Sequence, residues 1–323
     1  MKNISTITSD DPRPILLQKI NLGASRVEYT NNHIVLLCGG KVNYQERKED
    51  PPPVVASLRH AITHAFPQYE TYRPEDITDW HADGMFRNLM DFEQELAGIC
   101  SLVAVILESP GAIAELGAFS QLPELHKKMV AIKSLDFENA KASNSFINLG
   151  ILRYIREQSS SAVKNYPWRI DVPSSITQEV VTDVIADLQE ELDKVPKSLV
   201  FRYDSNSHKL TLICEMISLF TALKESEISE FLAFLDIKLD KDELRRKLFL
   251  LERFNLITKR TYSDAAFYLS GKYQYHRLRL TLSDGTRHDA IRTQADCVAF
   301  YRTNSKQRNR FRAIQQFSTA IAI

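Results

Sequence analysis

The stretch "SLVAVILESPGAIAELGAF" (Ser101–Phe119) decides how this sequence is read. Its first half is a continuous apolar run of strand length, the strongest strand signal in the chain. The run stops at Glu108-Ser109-Pro110-Gly111, and helical spacing begins at once, with Glu115 in the start of the helix. A buried strand that turns directly into a helix is the unit from which parallel sheets are built. The turn also places the new helix's N–H groups at the carboxyl end of the strand, where open α/β sheets bind ligands. Gly111 permits close approach of backbone to a ligand, and Gly117 with Ala114 and Ala118 lets the helix lie close on the sheet. An anionic group would be held well there, yet Glu115 brings negative charge to the same place. One explanation is a helix-start charge, favoured by about 0.3–1 kcal/mol through the helix dipole. The other is a carboxylate kept to stabilise or trap a positive transition state such as the oxocarbenium ion of glycosyl transfer. Spacing alone favours the first.

Outward from this stretch, strands and helices alternate. "HIVLLCGG" (His33–Gly40) reads as a buried parallel strand ended by two glycines, and "VVASLRHAITHAF" as a helix. "YETYRP" reads as a strand, "LMDFEQELAGIC" as a helix, "KMVAIK" as a strand, "FINLGILRYIRE" as a helix and "WRIDV" as an added edge strand. This alternation predicts a parallel sheet with helices on both faces across residues 32–175, preceded by an N-terminal extension, residues 1–31. Cys38, Gly39 and Gly40 form the loop after the first strand, where backbone N–H groups can bind phosphate; a glycine pair alone is weak evidence. Cys38 itself reads better as a small buried filler than as a reactive thiol. "KVNYQERKEDPPP" (Lys41–Pro53) follows as a loop beside the expected crevice, either a lid or a disordered segment.

Residues 176–198 read as a polar amphipathic helix connecting to a region of different pattern. From 199 to 323 the order is helix, short helix, helix and β-hairpin, which is that of a winged helix. Asp240 with Glu243 fits a capping box at the start of the third helix. Arg245, Arg246 and Lys247 then lie near its N-terminus, either as phosphate contacts or as a solvated face. From Ile257 to Ile323 there are twelve Lys or Arg against four Asp or Glu, a net of +8 in a chain whose total is zero. A basic C-terminal segment on an acidic body suggests an anionic partner, nucleic acid first. Arg308, Arg310 and Arg312, interleaved with aromatic residues, either follow phosphates or dock on a partner subunit.

Composition narrows the class. The 323 residues suit two domains, and 44% apolar with 25% charged content is that of an ordinary globular protein. No apolar run approaches the ~20 residues that span a bilayer. The polar start carries no signal peptide, so a cytoplasmic protein is expected. The four cysteines are far apart, against a disulfide framework or a metal site.

Taken in order, "HIVLLCGG", "YRPED", "FEQELA", "ESPGAIAELGAF" and "SFINLG" resemble the nucleoside 2-deoxyribosyltransferase-like effectors of bacterial retrons. The resemblance covers about residues 32–154, with the domain order continuing the likeness beyond it. It implies a Rossmann-like α/β domain followed by a mostly helical winged-helix domain, in an antiphage toxin that cleaves an N-glycosidic bond. It implies Glu115 as the catalytic carboxylate and NAD as substrate, with no resident cofactor. Cys38, Gly39, Gly40, Asp76, Glu108, Ser109, Pro110, Gly111 and Asn148 would line the substrate site. The implied partners are a retron reverse transcriptase and its RNA–DNA hybrid product, msDNA. Active sites completed across subunits imply a homo-oligomer. Deoxyribosyltransferases tend to carry Asp where this chain has Glu108, which sets transfer between bases in question. Asp76 reads equally as a helix start, Asn148 as a helix cap, and Glu93 as a partner of the site or a surface charge. Two further readings stand beside the glycosidase: a nucleotide sensor coupled to a DNA-binding winged helix, and a deoxyribosyltransferase acting on free nucleosides. Glu115 separates the first of these, because a sensor needs no carboxylate beside the sugar.

Overall fold

The computed structural model describes residues 10–45, 51–65, 70–72, 85–138 and 145–321. They form two compact units: Asn32–Val195, and the chain before Asn32 joined with that from Pro196 onward. The expected N-terminal extension is therefore part of the second unit. It contributes helix α1 (Pro12–Leu17) and strand β1 (Ile20–Glu28).

The first unit is built on a five-stranded, all-parallel sheet. Its strands are β2 (Ile34–Cys38), β3 (Glu70–Tyr72), β4 (Leu102–Ile106), β5 (Met129–Ser134) and β6 (Val163–Tyr166), in the order β3-β2-β4-β5-β6. Every residue of β2, β4 and β5 is buried, as continuous apolar runs require when both faces are covered. The edge strand lies a few residues before the expected "WRIDV". Val163–Tyr166 pairs with Ala131–Ser134, while Arg169 and Val172 make only an isolated antiparallel bridge. Trp168 is instead a buried core residue.

Helices α2 (Leu58–Ala65), α3 (Leu89–Ile99), α4 (Pro110–Phe119), α5 (Arg153–Gln158) and α6 (Gln178–Asp193) complete this unit. A single π-turn segment, Ile147–Leu152, leads into α5. One core layer joins Val35, Leu37, Leu102, Ala104 and Ile132 to Leu58 and Ile62 of α2 and Val181, Val184 and Leu188 of α6. The helix expected as a connector is thus half of one face of the sheet, because its apolar stripe is buried there. Strand alternation turns Leu36, Val103 and Val105 to the opposite face, where α3 packs on β2 and α4 on β4. In α4 the buried residues are Ala112, Leu116 and Phe119. Gly117 does not set the closeness to the sheet: a Cβ there would meet only Ile151 Cδ1 at an ordinary 3.7 Å.

The second unit holds a three-stranded antiparallel sheet and a cluster of helices. Strand β1 lies between β7 (Ser198–Val200) and β10 (Arg277–Leu282), with Ile20 opposite Leu282 and Glu28 opposite Arg277. Helices α7 (Asn206–Leu219), α8 (Glu225–Phe234) and α9 (Lys241–Arg253) precede a hairpin of β8 (Ile257–Tyr262) and β9 (Ala265–Ser270). Leu223, between α7 and α8, bridges to Tyr268 of β9. Asp240 caps α9 by accepting the Glu243 N–H at 2.7 Å. Helices α10 (Ala290–Thr303) and α11 (Arg308–Ile321) close the unit.

Two buried arginines tie this unit together. Arg13 of α1 grips Asp11 through Nε and both carboxylate oxygens, and its Nη1 donates to Glu227 of α8 at 2.7 Å. Arg310 of α11 donates to the same Glu227 Oε1 at 2.5 Å and to the Ala222 carbonyl at 2.6 Å. One carboxylate therefore serves two guanidinium groups from opposite ends of the chain.

Candidate active site

The strand order reverses between β2 and β4: β3 lies on one side of β2, and β4, β5 and β6 follow on the other. The carboxyl ends of such a strand pair form the ligand crevice of an open α/β sheet. Cys38 ends β2 and is paired in register with Val105 of β4. Gly39, Gly40, Glu108 and Ser109 follow directly, so the structure brings these expected site residues together.

Glu108 has a definite task. Its Oε1 accepts the N–H of Gly40 at 3.0 Å and of Arg59 at 2.9 Å, and its Oε2 accepts the N–H of Leu58 at 2.8 Å. The carboxylate thus clasps the loop after β2 to the first turn of α2. Burial pushes its carboxyl above the usual range, while these three N–H groups and the Arg59 charge pull it down. A carboxylate so engaged locks the crevice wall, and the Gly40 N–H expected for phosphate is already given to it. Ser109 caps α4 by accepting the Ala112 N–H at 3.1 Å and donates its hydroxyl to the Gly39 carbonyl at 3.0 Å. Pro110 occupies the first helical position, where its lack of N–H costs nothing. Gly111 is exposed, and a Cβ there would meet only Ser109 Oγ, at an ordinary 3.9 Å.

This clasp explains the glycine pair. A Cβ at Gly40 would lie 2.8 Å from Ser57 Cβ and 3.0 Å from Glu108 Cγ. Gly40→Ala is expected to destabilise the protein by about 1–3 kcal/mol through overpacking, which thermal denaturation will read. An unchanged melting temperature would mean that the clasp yields without cost.

The loop that follows is pinned on both sides of residues 46–50, which lie outside the described residues. Ser57 Oγ donates to the Lys41 carbonyl at 2.7 Å, the Asn43 N–H donates to His60 Nδ1 at 3.1 Å, and Asn43 Nδ2 donates to the Val54 carbonyl at 3.1 Å. Burial lowers the His60 pKa, as does the facing His64, so the ring stays neutral and able to accept.

Glu115 stands one turn into α4, half-buried, with its Oε2 in the interior. The Cys38 thiol lies close enough to feel its charge. Burial drives the Cys38 pKa well above its ordinary value, and the negative charges of Glu115 and Glu93 add to this against the pull of Arg59. The Cys38 thiol therefore stays protonated and is not a reactive thiolate. Glu93 is buried on α3, which excludes its reading as a surface charge. Two carboxylates and one guanidinium thus converge on the end of β2. Arg59 was missed by sequence reasoning. Its signal was its place at the start of α2, directly before the helix meets the crevice. There it is buried and donates through Nη1 to the Gly40 carbonyl at 3.3 Å. Asn148 lies in the π-turn segment, where its Nδ2 donates to the Phe137 carbonyl at 3.0 Å, tying the exit of β5 to that turn. Asp76 lies outside the described residues.

The six cations expected to meet nucleic acid divide. Arg245 is exposed and pairs with Glu225 at 2.9 Å; Arg246 is partly exposed; Arg308 and Arg312 are exposed on α11. Lys247 and Arg310 are corrected: they are 1% and 2% exposed, and neither reaches a phosphate. Lys247 donates to Asn206 and pairs with Glu243 at 3.5 Å, while Arg310 holds Glu227 and Ala222. All four cysteines are free. Among the described residues no cluster of His, Cys, Asp and Glu could hold a metal ion, and no helix is long and apolar enough to cross a membrane.

The chain is 33% identical over 134 residues to the Escherichia coli protein named "Retron Ec86 putative ribosyltransferase/DNA-binding protein", a match that spans 40% of this chain and 39% of that one. It is 36% identical over 75 residues to the Ec73 protein of the same description, also from Escherichia coli, spanning 23% of each. The chain thus matches well under half the length of either relative. The model of the STM3845 retron effector proteins matches residues 55–259, a span that holds helices α2, α3 and α4, Glu108 with its donors Leu58 and Arg59, Glu115 and the three helices before the hairpin. This match covers more than half of the chain, and the chain belongs to the STM3845 retron effector family.

Proposed function

We propose that the protein is a retron effector that cleaves the N-glycosidic bond of NAD, with Glu115 as its catalytic carboxylate. Water and NAD give nicotinamide, ADP-ribose and a proton. As the bond to nicotinamide breaks, its electron pair leaves with the ring and C1′ gains positive charge. Glu115 stabilises that charge or captures it before water does. The observation that carries the reading is the placement of this carboxylate, at the carboxyl end of the central strand pair and beside Cys38. The start of α4 and Arg59 supply positive potential for the pyrophosphate. A nucleotide sensor has no use for two carboxylates here, since buried charge is costly unless chemistry or pairing repays it.

In this proposal the sheet is a Rossmann-like nucleotide fold, and the second unit contains a winged helix. The order of three helices and hairpin supports it, with Leu223 bridging to the second hairpin strand. The activity is held in check by a reverse transcriptase and its RNA–DNA hybrid, and of the six cations expected to meet nucleic acid, Arg246, Arg308 and Arg312 are the ones placed to meet phosphate. The names of the two relatives favour a second reading, transfer of the ribosyl group to an acceptor other than water. Mass spectrometry of the products of purified protein and NAD, with and without the partners, separates the two. Free ADP-ribose with nicotinamide supports hydrolysis, a ribosylated acceptor supports transfer, and intact NAD under every condition overturns both.

A further inference from the structure

The second unit holds a cavity of about 520 Å³ that the glycosidic site does not use. It lies between α7, the start of α10, strand β10 and the segment from Ser270 to His276. That volume is in the range of small-molecule sites. Its walls carry Lys272, Arg277, Arg279 and Arg287 against Glu28 and Glu215, a surplus of two positive charges. Arg279 is paired with Glu28 at 3.2 Å. Glu215 accepts the Leu278 N–H at 3.2 Å, and burial lifts its carboxyl pKa against the pull of that N–H and of Arg277. Lys272 and Arg287 are exposed and carry the surplus.

The same cavity has aromatic walls. Tyr275 and His276 are stacked, with ring centroids 4.3 Å apart, and Tyr29 lies against His276 at 4.6 Å. Tyr273 is 42% exposed at the rim, with the Lys272 ammonium 5.7 Å from its ring centre. This rim is fixed in place. The Gly271 N–H donates to the Leu256 carbonyl at 2.9 Å and the Tyr273 N–H to the Asn255 carbonyl at 3.1 Å. Asn255 holds the left-handed conformation, φ +52°, directly after α9. A Cβ at Gly271 would stand 2.0 Å from the Asn255 carbonyl oxygen, so only glycine lets the chain pass here. The end of α9 and the hairpin therefore set the position of Lys272 and Tyr273.

We infer that this cavity binds a nucleotide through its phosphate and base. Lys272 and Arg287 take the phosphate, and the Tyr273 ring stacks on the base, which is a sequence-tolerant contact because every base has a π-face. The ligand is either a free mononucleotide or the phosphorylated end of a nucleic-acid strand. The inference is independent of the glycosidase proposal and of the cations on α9 and α11.

The test uses the full chain. Binding of a free 5′-mononucleotide is followed by calorimetry, and binding of a labelled hexanucleotide, with and without a 5′-phosphate, by anisotropy. The variants are Lys272→Ala with Arg287→Ala, and Tyr273→Ala, all at exposed positions, with melting temperature as the folding control. Arg308→Glu with Arg312→Glu serves as the separate probe of α11. The double alanine variant is expected to weaken the phosphorylated ligand at least about tenfold and to lower the salt slope by about one per cation removed. Tyr273→Ala is expected to cost about tenfold for both phosphorylated ligands. A wild type that binds the mononucleotide assigns the cavity to free nucleotides; one that binds only the 5′-phosphorylated hexanucleotide assigns it to a strand end. Wild-type affinity in both cavity variants, or no binding by the wild type, overturns the inference. A loss confined to the α11 variant overturns it as well and credits the binding to that helix.

Discussion

Glu115→Gln is expected to lower nicotinamide release from NAD by about 10²–10³-fold, the equivalent of about 3–4 kcal/mol of transition-state stabilisation, by analogy with other deletions of a preorganised electrostatic contact. The amide keeps the shape of the side chain, but it has no charge to set against C1′. Glu115 is half-buried and lies outside the main core layer, so the melting temperature should hold. NAD affinity should also persist, because it rests on the phosphates and the base. A well-folded variant that releases nicotinamide at the wild-type rate would make Glu115 a helix-start charge and remove the central residue of the glycosidase proposal.

The second large effect concerns stability. Glu227→Ala leaves the guanidinium groups of Arg13 and Arg310 buried without the carboxylate they share. Breaking a buried ion pair by removing one partner costs about 3–5 kcal/mol, and urea unfolding followed by hydrogen exchange should place that loss in the second unit. The same carboxylate makes acid stability predictable. Burial alone would raise its pKa, but Arg310 and then Arg13 overcome this and hold it at about 2, below the ordinary 4.5. A depressed folded-state pKa contributes stability that is complete above the unfolded value and is lost as pH falls through the folded one. Wild-type stability should therefore decline between about pH 5 and pH 2, and Glu227→Gln should flatten that part of the profile. Parallel profiles for the two proteins would remove Glu227 from the account of acid unfolding.

The parallel sheet was legible because only burial on both faces explains runs such as Ile34–Cys38 and Leu102–Ile106. Its last strand was displaced because Val163–Tyr166 is half polar, while Trp168 nearby looks more like a strand residue and is core. The work of Glu108 left no trace in spacing: its donors are at positions 40, 58 and 59, and contacts across such distances follow from the fold alone. Lys247 and Arg310 were misjudged because each sits in a run of cations that looks like a surface. Periodicity held the correction. Lys247 falls three residues after Leu244 and four before Leu251, on the stripe that α9 buries, and Arg310 falls three before the buried Ala313. A charge on an apolar stripe is better read as paired and internal than as a contact for DNA.

The placement of β1 has a consequence for synthesis. Its partners are β7 and β10, and the full β10 pairing must wait until Leu282 has been made, whereas the unit spanning Asn32–Val195 needs no later residue to complete its own sheet. At about 5–20 residues per second, the nascent first strand waits on the order of ten seconds or more for its longer neighbour. The unit with Glu115 thus acquires its fold on the ribosome before the unit that surrounds β1 can close. For that interval the newborn chain carries a finished crevice and an open strand edge, and an unpaired edge is a template for other chains.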